Sequence, residues 1–206
     1  YFKEKQLKIK ADLTYHLAND SLNILPSQIF IHDSEFIVKG VYHGADQNYV
    51  KLNTTGENTD IQTILSLMSE KVYDRFKIYK SDGNVYFSSQ LEGYINDESS
   101  PSLQIDFGCK NASFYHPDIN RKIVNVNLEG NFNAGKANDL STATLSLNNI
   151  NGKMEGRPFS GDFYLKNFED NFVRLNVDAE IDAQSLLEFY PLKSIKSASG
   201  LLDIDI

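Results

Sequence analysis

The chain has 206 residues, of which 41% are hydrophobic, 12% aromatic and 23% charged, with five prolines and one cysteine; this composition suits a folded β protein and argues against wholesale disorder. The formal net charge is −8 and the Lys and Arg residues are scattered singly, which argues against a nucleic-acid partner. No run approaches the roughly 20 apolar residues of a membrane-spanning helix, and a lone Cys109 excludes an intrachain disulfide.

The dominant pattern is alternation of apolar and polar residues with period two, the mark of strands with one apolar face. It starts at Leu7. At Asp60 it gives way to a spacing of three and four, with Ile61, Ile64, Leu65, Met68 and Val72 on one side; this predicts a helix over 60–75 with Asp60 as N-cap. Its polar side mixes Glu70 and Asp74 with Lys71 and Arg75, so packing across the mouth of a groove or onto the sheet is expected rather than a basic membrane-surface role. Asp82-Gly83-Asn84 reads as a turn, followed by Val85, Phe87, Leu91 and Ile95 opposite Asn84, Ser88, Gln90 and Glu92. Cys109 continues the apolar phase of Leu103, Ile105 and Phe107, and reads as a small core residue.

The next run places Val124, Val126, Leu128, Gly130 and Phe132 opposite Asn125, Asn127, Glu129, Asn131 and Asn133, and Asn133-Ala134-Gly135-Lys136 ends it. From Ala143 another run leads to Asn151-Gly152, which predicts a type I′ hairpin because both residues tolerate positive φ. A run from Phe163 reaches a connector at Glu169-Asp170-Asn171. Beyond it Val173, Leu175, Val177, Ala179 and Ile181 alternate with Arg174, Asn176, Asp178, Glu180 and Asp182. A short helix is predicted near 183–190, through Ala183, Leu186, Leu187 and Tyr190, stopped by Pro191. The chain opens on Tyr1 rather than Met and has strand-like runs at both ends, which predicts a segment of a longer protein.

The two helical interruptions belong to an internal repeat. Asn48-Tyr49-Val50-Lys51-Leu52-Asn53 parallels Asn171-Phe172-Val173-Arg174-Leu175-Asn176, and Asp60-Ile61-Gln62-Thr63-Ile64-Leu65 parallels Asp182-Ala183-Gln184-Ser185-Leu186-Leu187. In each copy a Lys/Ser-rich stretch then leads to a glycine, Gly83 or Gly200, that opens the next run. Two repeats over 1–96 and 97–206 follow from this, each a supersecondary unit in an array.

No catalytic constellation is evident. His16, His32, His43 and His116 lack metal-ligand spacing, no glycine-rich phosphate loop joins a strand to a helix, and the Asp and Glu residues fall mostly on polar strand faces. The expectation is a protein without enzymatic turnover, bound metal or cofactor.

The apolar faces need a cover, and two helices of about two and four turns cannot span a sheet of some ten strands. Either a second sheet or a non-protein ligand does so. The stretch from Asn171 to Ile206 resembles the AsmA-like family of bacterial envelope proteins, which includes TamB-type proteins: an alternating strand to Asp182, a short helix, Pro191-Leu192, and the Ser197-Ala198-Ser199-Gly200-Leu201-Leu202 lead-in to a new strand. Ala143-Thr144-Leu145-Ser146-Leu147 and Gly161-Asp162-Phe163-Tyr164-Leu165-Lys166 extend the likeness over about residues 120–206.

The resemblance implies an all-β fold, a long antiparallel meander forming a curved, repeating groove open on its apolar face. It also implies phospholipid or another acyl-chain lipid as ligand, a role in outer-membrane biogenesis or phospholipid transport, and a periplasmic location with an inner-membrane anchor outside this segment. The groove lining is then Val85, Phe87, Val124, Val126, Leu128, Phe132, Val173, Leu175, Val177 and Ile181. Edge strands are expected to pair with neighbouring repeats. The rival is a closed β-sandwich, an extracellular interaction or carbohydrate-binding module acting through Tyr42, Tyr49, Tyr86 and Tyr94.

Overall fold

The computed structural model describes residues 7–31, 34–44, 48–61, 63, 78, 80–97, 99–118, 120–136, 139–184, 187 and 200–205. Alternation becomes strand throughout: β1 (Leu7–Lys10), β2 (Leu13–His16), β3 (Ser21–Ile31), β4 (Ser34–His43), β5 (Tyr49–Asp60), β6 (Lys80–Tyr94), β7 (Ser102–His116), β8 (Arg121–Asn133), β9 (Thr144–Met154), β10 (Arg157–Lys166), β11 (Phe172–Asp182) and β12 (Leu201–Asp205). From β3 onward each strand pairs antiparallel with the next in sequence.

β1 and β2 share one edge position. Leu7–Lys10 pairs with Gln28–Ile31 and Leu13–His16 with Ser21–Ile24, so both lie along the same side of β3. The interruption falls where β3 shifts register at Leu25 and Pro26, since proline cannot donate to a ladder. There the Leu25 N–H donates to the Asp12 carbonyl at 3.0 Å and the Asp12 N–H to Ser27 Oγ at 3.1 Å, so the edge is stitched across the gap.

The result is a single open sheet with β1 and β2 at one edge and β12 at the other. Among the described residues each strand packs substantially only on its ladder neighbours, and no second layer faces the sheet. The closed sandwich is thus replaced by an open meander. The boundary drawn at residues 96 and 97 lies in the β6–β7 loop, and the ladder of Lys80–Glu92 against Ser102–Tyr115 runs straight across it.

Among the described residues five strands carry bulges, at Leu25–Pro26 in β3, Glu57–Asn58 in β5, Lys110–Asn111 in β7, Val124–Asn125 in β8 and Asn148–Asn149 in β9. Each bends its strand and strengthens the local twist. Three put an asparagine in the left-handed region, Asn111, Asn125 and Asn149, at φ of 52°, 55° and 54°. In the proposed repeat β5 and β11 correspond, and the one-residue excess of β5 between its Asn48 and Asp60 landmarks coincides with its bulge. Ile61 and Ala183, the equivalent residues that leave the sheet, have helical backbone and are both buried. Asp60, the predicted N-cap, is the last ladder residue of β5, opposite Asn84; apart from it and Ile61, Thr63, Ala183, Gln184 and Leu187, the two predicted helices lie outside the described residues.

Two predicted turns are corrected. Asn151-Gly152 is inside β9, and the two-residue type I′ turn is at Glu155-Gly156, with φ of 54° and 81°. The strand runs on because the apolar face does: Gly152 lies opposite Phe159 and Met154 is buried beyond it. Asp82-Gly83-Asn84 is inside β6, where Gly83, at φ of 130°, gives room to the bulge of β7. A Cβ there would sit 2.6 Å from Ala112 Cα.

A candidate apolar groove

Register joins the apolar faces of all strands into one surface. A row of directly opposed residues runs Phe87, Phe107, Gly130, Leu147, Phe163, Leu175 across β6 to β11, and the next runs Ile105, Phe132, Leu145, Leu165, Val173 across β7 to β11. Burial of this surface is uneven. It is dense at the rim where β5 and β11 end: Val85, Cys109, Ala112 and Val126 form a cluster beneath Ile61, with Phe114, Ile123, Leu128 and Phe159 packed on it. Cys109 is a core residue there, and burial pushes its thiol pKa up. Toward the other rim and the β11 edge the surface opens, and Val173 and Leu175 are 53% and 50% exposed.

Of the ten predicted lining residues, Val85 and Val126 are buried in the cluster, whereas Phe87, Leu128, Phe132 and Val177 are half-buried and Val173 and Leu175 exposed on the same face. Ile181 holds the register position opposite Leu202. Val124 is a correction. The Asn125 bulge reverses the phase of β8, so that Ile123 pairs with Phe114 and Met154 on the apolar side, while Val124 falls opposite Lys153 on the polar side. The rows contributed by β7, β9 and β10 were missed as lining, although their runs show the same alternation.

Glycines shape the floor. Gly130 is directly opposite Phe107, and a Cβ on it would clash with the ring atoms Cζ, Cε1 and Cε2. Gly152 is directly opposite Phe159, and a Cβ there would lie 2.7 Å from its Cζ. Both rings therefore lean across the neighbouring strand instead of standing upright. At the open rim Phe168, from the loop after β10, meets Phe132 edge to face at 5.9 Å between centroids.

Comparison with protein families, curated proteins and solved structures yields no match.

The opposite face is polar and internally bonded. Asn127 Nδ2 donates to the Asn125 carbonyl at 3.0 Å and to Asn151 Oδ1 at 2.9 Å, while Asn127 Oδ1 accepts from the Asn111 N–H at 3.0 Å. Asn151 Nδ2 donates to the Asn149 carbonyl at 2.8 Å, and Asp162 accepts from the Asn149 N–H at 2.9 Å. The bulges thus have their backbone groups satisfied by side chains two residues on or one strand away. A shallow concavity of about 400 Å³ lies beside this ladder, between Asn127, Asn151, Lys153, Ser160 and Asp178.

The four tyrosines of the sandwich reading are not brought together. Tyr42 is on the apolar face in the row of Leu22 and Val50, and its hydroxyl donates to Asn48 Oδ1 at 2.8 Å. Tyr86 leans over Gly108 on the polar face, and burial raises its phenol pKa. Tyr94 lies eight residues further along β6, roughly 26 Å away. Only Tyr49 and Tyr94 meet, at 5.2 Å between centroids, with His43 stacked on Tyr49 at 6.1 Å. Beside them Glu92 accepts from Tyr49, Lys51 and Gln90 at 2.7–2.8 Å. Among the described residues no three His, Cys, Asp or Glu side chains are grouped as metal ligands.

Proposed function

We propose that this chain is a non-enzymatic lipid-binding module of the AsmA-like kind, holding phospholipid acyl chains on its apolar face during phospholipid transport or outer-membrane biogenesis in the bacterial envelope. The observation that carries the reading is an apolar surface continuous over the sheet with no second layer of described residues against it. Uncovered hydrocarbon of this extent is costly in water, at about 25 cal/mol per Å², and large exposed apolar surfaces mark binding sites. A lipid chain suits such a surface because it needs no hydrogen-bond partners from it. Periplasmic location and an anchor outside this segment belong to the same proposal.

Native mass spectrometry with lipid extraction, on protein purified from a bacterial host, tests it. The expected result is co-purified phospholipid that falls to trace levels in Leu175→Asp, with the far-UV circular dichroism of the sheet unchanged. Lipid-free wild-type protein would overturn the reading. Unfolding of Leu175→Asp would make Leu175 part of an obligatory core and count against the reading in a different way.

A further inference from the structure

We infer that the polar face carries a saccharide-binding platform, on which His43, Tyr49 and Tyr94 stack against the sugar rings of a neutral oligosaccharide while Lys51, Glu92 and Gln90 bond its hydroxyl groups. This site is independent of the lipid-binding reading, because it lies on the other side of the sheet.

Register places the three rings in one row. His43 is directly opposite Tyr49, and Tyr49 directly opposite Tyr94, with centroids 6.1 and 5.2 Å apart. Val50 and Leu52 belong to the apolar face, so Tyr49 and Lys51 take the other; Leu91, opposite Leu52, fixes the same phase for Glu92 and Tyr94. Rings on the face that a sheet turns to water gain nothing from the apolar cluster, and these stay open: His43 is exposed and Tyr94 is 49% exposed. Tyr94 is tilted by 62° to Tyr49, its one ring neighbour among the described residues, which leaves a face of Tyr94 without aromatic cover.

The polar half of the site is the adjoining row. Lys51 and Glu92 are directly opposed, and Gln90 lies two residues along β6. Glu92 accepts from the Tyr49 hydroxyl at 2.7 Å, from Gln90 Nε2 at 2.7 Å and from Lys51 Nζ at 2.8 Å. These bonds fix the side chains in advance, so a ligand costs little rotamer freedom. Capacity remains for a ligand. The Lys51 ammonium has further donors, and the Gln90 carbonyl, the Tyr94 hydroxyl and the His43 ring nitrogens have no bond among the described residues. A hydroxyl both donates and accepts, which suits this mixture of groups, and the C–H face of a sugar ring suits an aromatic face. Charge selects the neutral class. Lys51 disfavours the cation that an aromatic row would otherwise hold, and Glu92 disfavours a carboxylate or phosphate.

The competing account is that the rings are cross-strand pairs that only stabilise β4 to β6. Amide NMR titrations of the wild-type protein with maltohexaose, cellohexaose and laminarihexaose, and separately with tetramethylammonium, distinguish the two. The expected result is saturable shifts with at least one hexasaccharide, centred on residues 43, 49–51 and 90–94. Tyr94→Leu keeps an apolar cross-strand contact but loses the stacking surface, and is expected to weaken binding about tenfold. His43→Ala, at the other end of the row, reads the same effect if Tyr94→Leu does not fold. The inference is overturned by the absence of shifts with all three sugars, by shifts centred elsewhere, or by unchanged affinity in the variants. Saturable binding of tetramethylammonium in place of the sugars overturns it too, and assigns the rings to a cation.

Discussion

Among the described residues Glu92 has a strongly lowered carboxyl pKa. Hydrogen bonds from Lys51, Tyr49 and Gln90 hold its carboxyl at about 2, below the ordinary 4.5. The same contacts raise the pKa values of Tyr49 and Lys51, the first through its hydrogen bond to the carboxylate and the second through its own bond to Glu92. A carboxylate with a depressed folded-state pKa contributes stability that is present above about pH 4.5 and lost as the pH falls toward 2, because the unfolded chain takes up the proton first. Chemical denaturation across that window should therefore show stability falling with acid in the wild type and a shallower slope in Glu92→Gln. Equal slopes would mean that the three donors do not act on the carboxylate in solution. None of this was legible from the sequence, where Glu92 is simply a polar residue of an alternating run; Lys51 and Tyr49 reach it from another strand, 41 and 43 positions earlier. Val124 illustrates the same limit from the apolar side, since it has the right residue type in the right phase and is misplaced by its neighbour's backbone angle.

That neighbour, Asn125, brings the question to the strand. β7, β8 and β9 each break their own alternation at an asparagine in the left-handed region, and in β8 and β9 the motif is Asn-x-Asn, with the second amide donating to the first carbonyl. The motif alone does not mark a bulge, since Asn131-Phe132-Asn133 keeps regular register in β8, and a period of two cannot register one inserted residue. Asn125→Val should destabilise the protein by about 1–2 kcal/mol, the cost of a side-chain-bearing residue without local hydrogen bonding at positive φ, whereas Asn125→Gly should stay within about 1 kcal/mol of wild type. Urea denaturation of both variants distinguishes a required backbone conformation from a general intolerance of substitution: equal losses would argue for the latter. The Asn151-Gly152 pair shows why turn chemistry alone misleads. The same dipeptide that suits a type I′ turn also supplies a ladder amide and a bare backbone for Phe159 to lie on, and here the second use prevails.

At the scale of the molecule, a sheet with no second layer among the described residues draws its cohesion from ladders between neighbours and from the apolar cluster at one rim, as the strands of a repeat array would. Stability should then be graded along the sheet rather than uniform. Hydrogen exchange followed by mass spectrometry is expected to show the slowest amides in β6, β7 and β8, which pair on both sides and carry the Val85, Cys109 and Val126 cluster, and the fastest in β1, β2 and the β12 edge. Uniform protection from edge to edge would indicate a single cooperative core and speak against an array.

The sequence by itself determined the strand content, the single apolar face and the core role of Cys109, because these depend on local period along one chain. Tertiary structure decided which rows meet, where the bulges reverse a phase, which rings lie on glycine and which part of the apolar face stays open. Those outcomes depend on cross-strand register, and register is fixed by the partner strand, whose contribution a period read along one strand does not contain.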